Sequence, residues 1–407
     1  IAWVDLGIFL PPRFRGDLPA IPFPGGWLIG GLLVVNLLAA HAVRFRMVAR
    51  RRRLVGGAVV LVGGLILLVA IVLKIEADLA TMRLYFLVEM IQITAALGVV
   101  LAGCYLLFGR RGGIVLLHAG LIVLLCSELV TGLTAEEGQM VIAEGGAANY
   151  VEDIREVELA VIDTSPERHN HVVAVPGSML APGERIVHAD LPFDIEVLRY
   201  MPNAQVVRAG SIPMDNPATA GAGLEWVARP RPPVSGADPD QRIDNPAAYI
   251  RLVDPETGDE IDVYLLALVF AVNDLPQVVD VAGETREISL RFKRTYKPYT
   301  IHLLDFSHDR YLGTDVPKNF SSRVRLVDPT RNEDREVLIY MNHPLRYEGE
   351  TFYQASFLEG DRGTVLQVVK NPGWALPYVS CAAVGLGLTA HFGVALFGFL
   401  TRRRAAA

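Results

Sequence analysis

Apolar residues gather in five long stretches, at 27–43, 54–73, 84–108, 114–133 and 376–401. A helix needs about 20 such residues to cross a bilayer. The first stretch is the shortest, and Trp27 at its edge suits an interfacial anchor. Between the fourth and fifth stretches the pattern changes to two-residue alternation. Val157-Glu-Leu-Ala-Val-Ile162 and Phe193-Asp-Ile-Glu-Val-Leu198 read as strands, with Pro, Gly, Asp and Asn as punctuation. Arg251-Leu-Val-Asp-Pro255 and Arg325-Leu-Val-Asp-Pro329 each precede a polar turn and a second apolar run, to Leu268 and Met341 respectively. Each predicts a β-hairpin. The shared residues admit either a duplication or two similar hairpins in one sheet. Residues 202–247, rich in Pro, Gly, Ala and Asn, predict a long surface excursion. The expected fold is a multi-pass α-helical membrane protein of five spans with a large, all-β-rich extracytoplasmic domain. Its parts are an outer loop (1–26), a four-span membrane domain (27–133), the β-rich domain (134–375), and a C-terminal span with a short cytoplasmic tail (376–407).

Basic residues orient these spans. Arg44, Arg46 and Arg50–Arg53 lie between the first two stretches, Arg110-Arg111 between the third and fourth, and Arg402–Arg404 after the fifth. The positive-inside rule assigns all three runs to the cytoplasm. Residues 74–83 and 134–375 then fall outside, and so do residues 1–26. The latter segment carries Phe9-Leu-Pro-Pro12 and Ile21-Pro-Phe-Pro-Gly-Gly26 and has no signal-peptide pattern. The expectation is a further span before Ile1.

Composition narrows the function classes. The chain is 51% hydrophobic with a formal net charge of −6, and it has no basic stripe apart from the arginine runs, which argues against nucleic acid as a partner. Cys104, Cys126 and Cys381 all belong to apolar stretches, so residues 134–375 need no disulfide. Phosphate-cradling loops, G-x-S-x-G and H-E-x-x-H are missing. His169-Asn-His171 reads as a solvated turn or, less simply, a metal site. On a regular strand His302 and His308 would share a face, with Asp305 opposite.

Ionisable groups inside a membrane are costly, so they are functional candidates by default. His41 lies three residues before Arg44, about 5 Å along a helix; His118 seven after Arg111, about 10 Å; His391 eleven before Arg402, about 16 Å and near the midplane. A neutral imidazole can ligate haem iron, but each of the three also admits a structural role, snorkelling or hydrogen bonding to a neighbouring helix. Glu89, Glu128 and Gln92 would sit near the outer ends of their spans as a polar patch or paired groups. Gly56-Gly57 and Gly63-Gly64 suggest close helix packing.

Several segments together resemble one family. They are His118-Ala-Gly-Leu121, Glu137-Gly-Gln-Met140, Ala143-Glu-Gly145, Asn319-Phe-Ser-Ser-Arg-Val-Arg-Leu326, and Met341-Asn-His-Pro-Leu-Arg-Tyr-Glu-Gly-Glu-Thr-Phe-Tyr-Gln-Ala-Ser-Phe357, with Trp374 before the last span. This pattern is similar to the ResB-like family of System II cytochrome c biogenesis, over about residues 24–401. The resemblance implies a partner, a CcsA/ResC-like membrane subunit with a tryptophan-rich haem-handling loop. This chain has four tryptophans and no such loop. It also implies that the pair exports haem b and joins it to apocytochrome c outside the cytoplasm, in a bacterial inner membrane. This chain would be a non-catalytic or co-catalytic subunit of that synthase. By motif the family's intramembrane haem ligand maps onto His118; His41 and His391 are further candidates that the family does not supply. The outer sheet would offer an edge to unfolded apocytochrome, with Phe352-Tyr353 and Phe357 in that surface or, more simply, in the core.

Two other classes stay open. One is a membrane-anchored scaffold or apocytochrome chaperone that binds no haem. The other is a small-molecule transporter, which would show repeated, broken spans around a midplane site; no inverted repeat is evident. The charge pattern yields one direct test. A cysteine at Ser235 should react with a membrane-impermeant thiol reagent from outside the inner membrane, and cysteines at Arg50 or Arg403 only after its lysis. The reverse labelling would overturn the orientation.

Overall fold

The computed structural model describes residues 2–4, 21–23, 26–44, 47–75, 83–166, 169–211, 215–234, 243–281, 283–310, 317–358, 360 and 362–406. The helices are α1 (Gly26–Arg44), α2 (Arg52–Val72), α3 (Arg83–Phe108), α4 (Gly112–Thr134), the single-turn α5 (Leu268–Val272) and α6 (Leu376–Ala406). Among the described residues three helical stretches are long and apolar enough to cross a membrane: Arg52–Val72, Leu84–Thr134 and Leu376–Ala405. The second has 51 residues and comprises α3 and α4, separated by a 3-10 turn at Gly109–Arg111. Gly109 has φ 59°, a conformation that glycine adopts without a Cβ penalty, and there α3 ends. In α1 the apolar part is shorter, Leu28–Ala40. Most of the expected loop 1–26 lies outside the described residues; within it Ala2–Val4 pairs antiparallel with Ile21–Phe23.

Small residues set how the helices pack. A methyl group added at Gly57 would lie 2.8 Å from a Leu107 methyl, one at Gly64 2.9 Å from the Val100 nitrogen, and one at Gly103 2.7 Å from the Leu61 backbone. These pairings run in opposite senses, so α2 and α3 are antiparallel. Of the two glycine pairs, Gly57 and Gly64 make the contact, while Gly56 and Gly63 face open space. The same holds for α4 and α6. A methyl at Gly387 would lie 2.7 Å from the Gly113 carbonyl oxygen and the Leu117 nitrogen, and one at Gly120 would meet Ser380 and Val384 at 2.9–3.0 Å. Phe86 meets Tyr378, and the Tyr105 hydroxyl donates to the Ala390 carbonyl at 3.4 Å, so α3 and α6 run in the same direction. Therefore α3 and α4 form a hairpin. Ile93, Ala96, Leu97, Val100, Cys104, Leu116, Val379 and Ala383 fill the centre.

The helix ends agree with the charge pattern. Arg53 Nε donates to the Leu106 carbonyl at 3.0 Å and its Nη2 to that of Tyr105 at 3.4 Å, satisfying carbonyls that the end of α3 leaves open. With α2 and α4 antiparallel to α3 and α6, the three arginine runs share one end of the set.

The chain forms two compact units. One comprises residues 1–137, 141–147 and 301–407, and the other 138–140 and 148–300. The second unit holds a four-stranded sheet ordered Glu260–Ala267, Ala247–Val253, Asp194–Met201, Arg185–Ile186. Phe193, Ile195, Val197, Ile250, Leu252, Leu266, Ile288 and Leu290 are buried against one another. Beside them Arg291 and Glu158 make a buried ion pair at 2.9 Å, with 7% and 6% of their side chains exposed. In the first unit Ser321–Asp328 pairs with Glu333–Tyr340, and Glu350–Phe357 lies between Leu345–Tyr347 and Gly363–Lys370.

Both expected hairpins form, in different sheets: Ala247–Val253 with Glu260–Ala267, and Pro317–Asp328 with Glu333–Tyr340. The two echoing segments are therefore not neighbours in one sheet. Each aspartate of the Asp-Pro step caps its turn. Asp254 accepts from the Glu256 and Thr257 amides, and Asp328 from the Thr330 amide and hydroxyl and the Tyr347 hydroxyl. The expected excursion at 202–247 is partly ordered. Ala204–Arg208 pairs with Trp226–Pro230, and the Ala228 amide of the second strand donates to the buried Tyr249 hydroxyl at 3.1 Å. Residues 235–242 lie outside the described residues.

Two outcomes follow. Gly387→Leu should lower stability by at least about 1–3 kcal/mol through overpacking, read as a fall in melting temperature, whereas Gly63→Leu should stay within about 0.5 kcal/mol of wild type. The Thr330 hydroxyl, and after it the Tyr347 bond, hold the Asp328 carboxyl below its ordinary value. A lowered pKa contributes stability that is present above the unfolded-state value and lost as pH falls through the folded one, so acid should loosen this hairpin below about pH 4. Asp328→Asn should remove that acid dependence, as followed by hydrogen exchange across Val327–Arg335.

Candidate functional site

On α4, Gly113, Leu117 and Gly120 recur at helical spacing and face α6. His118 is one step round from that seam. It shares a stripe with Leu121, Ile122 and Leu125, and all four are half-buried. Further along the same stripe, Leu125 and Leu129 line a groove of about 600 Å³ between α4 and α1. Its α1 side is Gly26, Gly30, Gly31, Val34 and Val35, and its α4 side adds Cys126 and Glu128. A Cβ at Gly26, Gly30 or Gly31 would meet nothing within 4 Å, so these glycines leave room in the groove beside Val34 and Val35. His118 does not line this groove: Leu125, the nearest α4 residue that does, lies seven residues further along the helix, about 10 Å.

The other membrane histidines take different places. His41 belongs to the last residues of α1, and its side chain lies outside the described residues. His391 is not near the middle of the helix set. Its backbone nitrogen would meet a methyl at Gly113 at 3.0 Å, and Gly113 belongs to the first turn of α4. Helix α6 spans 31 residues, about 46 Å, so counting inward from Arg402 overstates the depth of His391. Leu117 packs on Gly387, four residues before His391, which puts His118 about 6 Å deeper than His391. Glu128 lies exposed in the α1–α4 groove and Gln92 is exposed on α3; no bond among Glu89, Gln92 and Glu128 is formed.

Outside the helices, His302 and His308 do not share a face. The buried positions run Ile301, Leu303 and then Phe306, with Leu304 and Asp305 both exposed, so the alternation slips by one. Beyond the slip, the His308 ring packs 4.3 Å from Phe357, with Phe306 and Phe320 around them. Asp305 pairs with Arg323 at 3.1 Å. Phe352 is fully buried, Tyr353 is 39% exposed, and a bulge between Gln354 and Ser356 turns Phe357 toward His308. His171 opens a strand opposite Asp163, whose carboxyl the Ser165 hydroxyl holds below its ordinary value. Among the described residues no three His, Cys, Asp or Glu side chains gather as metal ligands.

One cluster escaped the linear reading. The Arg346 guanidinium stacks 4.9 Å over the Trp374 ring, and Trp374 and Tyr378 meet edge-on at 6.1 Å. Trp374 beside the last span was the signal available; its arginine partner is 28 positions away in sequence.

Comparison with known proteins bears out the resemblance. Residues 277–365 match the ResB-like family model. Over 110 residues, 27% of this chain, the sequence is 36% identical to Protein NrfI of Wolinella succinogenes, covering 11% of that protein. Over 86 residues, 21% of this chain, it is 35% identical to the cytochrome c biogenesis protein CcsB of Picosynechococcus sp., covering 18% of it. The aligned segments thus span under a fifth of either relative. The family match begins at the strand Gln277–Val281 and ends in Gly363–Lys370, so it covers strands and none of the membrane helices.

Proposed function

We propose that this chain is the ResB-like subunit of a cytochrome c assembly complex and presents haem b from His118. The family match over 277–365 supports the pathway. The observation that carries the haem role is the half-buried His118 on an apolar stripe that leads into the α1–α4 groove. In this reading five spans cross a bacterial inner membrane, with residues 134–375 outside. Haem is cargo. The imidazole of His118 donates a ring-nitrogen lone pair to the iron. Leu121, Ile122 and Leu125 cover one face of the porphyrin and keep water from it. A CcsA/ResC-like partner supplies the second axial ligand and joins the haem vinyl groups to apocytochrome thiols, so this chain orients and delivers rather than performs the bond-forming step.

A second reading has support of its own: the family match falls on strands, which suits a scaffold or apocytochrome chaperone that binds no haem. One experiment separates the two. In the complex purified with its native partners, His118→Ala should lower the haem-to-protein ratio by at least roughly tenfold, the smaller effect expected for even an outer-shell partner of a metal site. Holocytochrome c yield should fall with it, and added imidazole should restore part of both. His41→Ala should do less. Wild-type haem content and yield in a His118→Ala complex at normal protein level would refute the assignment and favour the chaperone.

A further inference from the structure

A second cavity, of about 460 Å³, opens where the first turns of α3 and α6 meet the strands of 333–347. It lies at the end of the helices opposite the arginine runs. Phe86 and Tyr378 form its floor, their rings 5.3 Å apart and edge-to-face. Arg335, Leu338, His343 and Arg346 form the wall. The two cations differ. Arg335 is held by Glu333 on its own strand at 2.7 Å. Among the described residues no carboxylate pairs with Arg346, which has the Trp374 face beneath it. Trp374, Tyr378 and Phe86 make a row of rings at helix ends, the depth at which amphipathic aromatics settle in a bilayer. Beside them α3 exposes Leu84 (74%) and Leu87 (55%), an apolar flank for hydrocarbon chains.

We propose that this cavity binds the headgroup of an anionic phospholipid of the outer leaflet. Arg346 is the principal contact to the phosphate and Arg335 the secondary one, with the acyl chains along α3. A guanidinium stacked on an indole is pre-oriented and partly desolvated, which favours a phosphate over water. The bound lipid would hold the strands of 333–347 against the membrane surface. The proposal rests on the membrane part of the reading above, but its readout contains no haem, so the two fail separately.

The test uses the full chain purified with its native partners in neutral micelles doped with phosphatidylglycerol or phosphatidylcholine at equal mole fraction. Native mass spectrometry counts the retained lipid. Wild type should retain phosphatidylglycerol preferentially, and the preference should shrink as salt rises. Arg346→Gln should weaken it about fivefold, the effect of one basic residue near an anionic surface. Arg335→Gln should weaken it less, and Arg346→Lys should keep most of it. If Arg346→Gln does not fold, Arg346→Lys and the salt series on wild type decide alone. Equal retention of both lipids by wild type, or an unchanged preference in folded Arg346→Gln, would overturn the site. So would displacement of phosphatidylglycerol by metal-free protoporphyrin at equal concentration, which would assign the cavity to a dicarboxylic porphyrin.

Discussion

The close approach of two backbones at Gly113 and Gly387 is the contact on which the membrane part depends. Lipid tails are as apolar as leucine side chains, so burying leucine against leucine gains little inside a bilayer, and packing must come from close fit. With no Cβ on either side, the α4 and α6 backbones come within a distance that a single methyl would fill. That contact sets α4 antiparallel to α6 and turns Gly113, Leu117 and Gly120 toward the seam. His118 and its leucine and isoleucine neighbours are then left on an adjacent, half-buried stripe, whose Leu125 lines the α1 groove.

The same logic repeats between α2 and α3, where Gly57, Gly64 and Gly103 each meet a neighbour's leucine or valine. Glycines that make no contact have a different consequence. Gly30 and Gly31 leave room beside Val34 and Val35 on α1, and the groove beside α4 exists there. One residue type thus closes two helix pairs and opens a third. At the far end of α6 a polar joint takes over. Asn371 donates to the Thr131 hydroxyl at 3.3 Å, and Arg346 lies over Trp374, tying the strands after residue 301 to the helices in one compact unit.

Much of this was legible in the linear pattern. All five apolar stretches are helical, and the arginine runs share one end because α2 and α4 run antiparallel to α3 and α6. Both Asp-Pro hairpins form, since an aspartate that caps its own turn needs only neighbours in sequence. Where the linear reading went wrong, the cause was non-local. The depth of His391 was counted from Arg402, but α6 extends well past the α3–α4 turn, so the count began outside the packed region. His302 and His308 were assigned one face from strict alternation, which a slip at Leu304–Asp305 breaks. The segment 204–230 reads as a surface loop in sequence because 17 residues separate its two strands and one of them bonds the distant Tyr249 hydroxyl.

By itself, the sequence determined which segments are apolar enough to be helices, where the chain turns, and, through Pro344-Leu-Arg-Tyr347 and Thr351-Phe-Tyr-Gln-Ala-Ser-Phe357, which family it resembles. These properties are local or additive: hydropathy over a window, charge in a loop, side chains that hydrogen-bond two residues away. Only the tertiary structure decided which glycines are contacts and which are gaps, and where beside α4 an apolar groove opens. It alone also decided that Arg346 stands over Trp374, with no carboxylate among the described residues paired to it. Those depend on the rotation and offset of one element against another, set by close packing between residues far apart in the chain, and no pattern along one strand or helix records them.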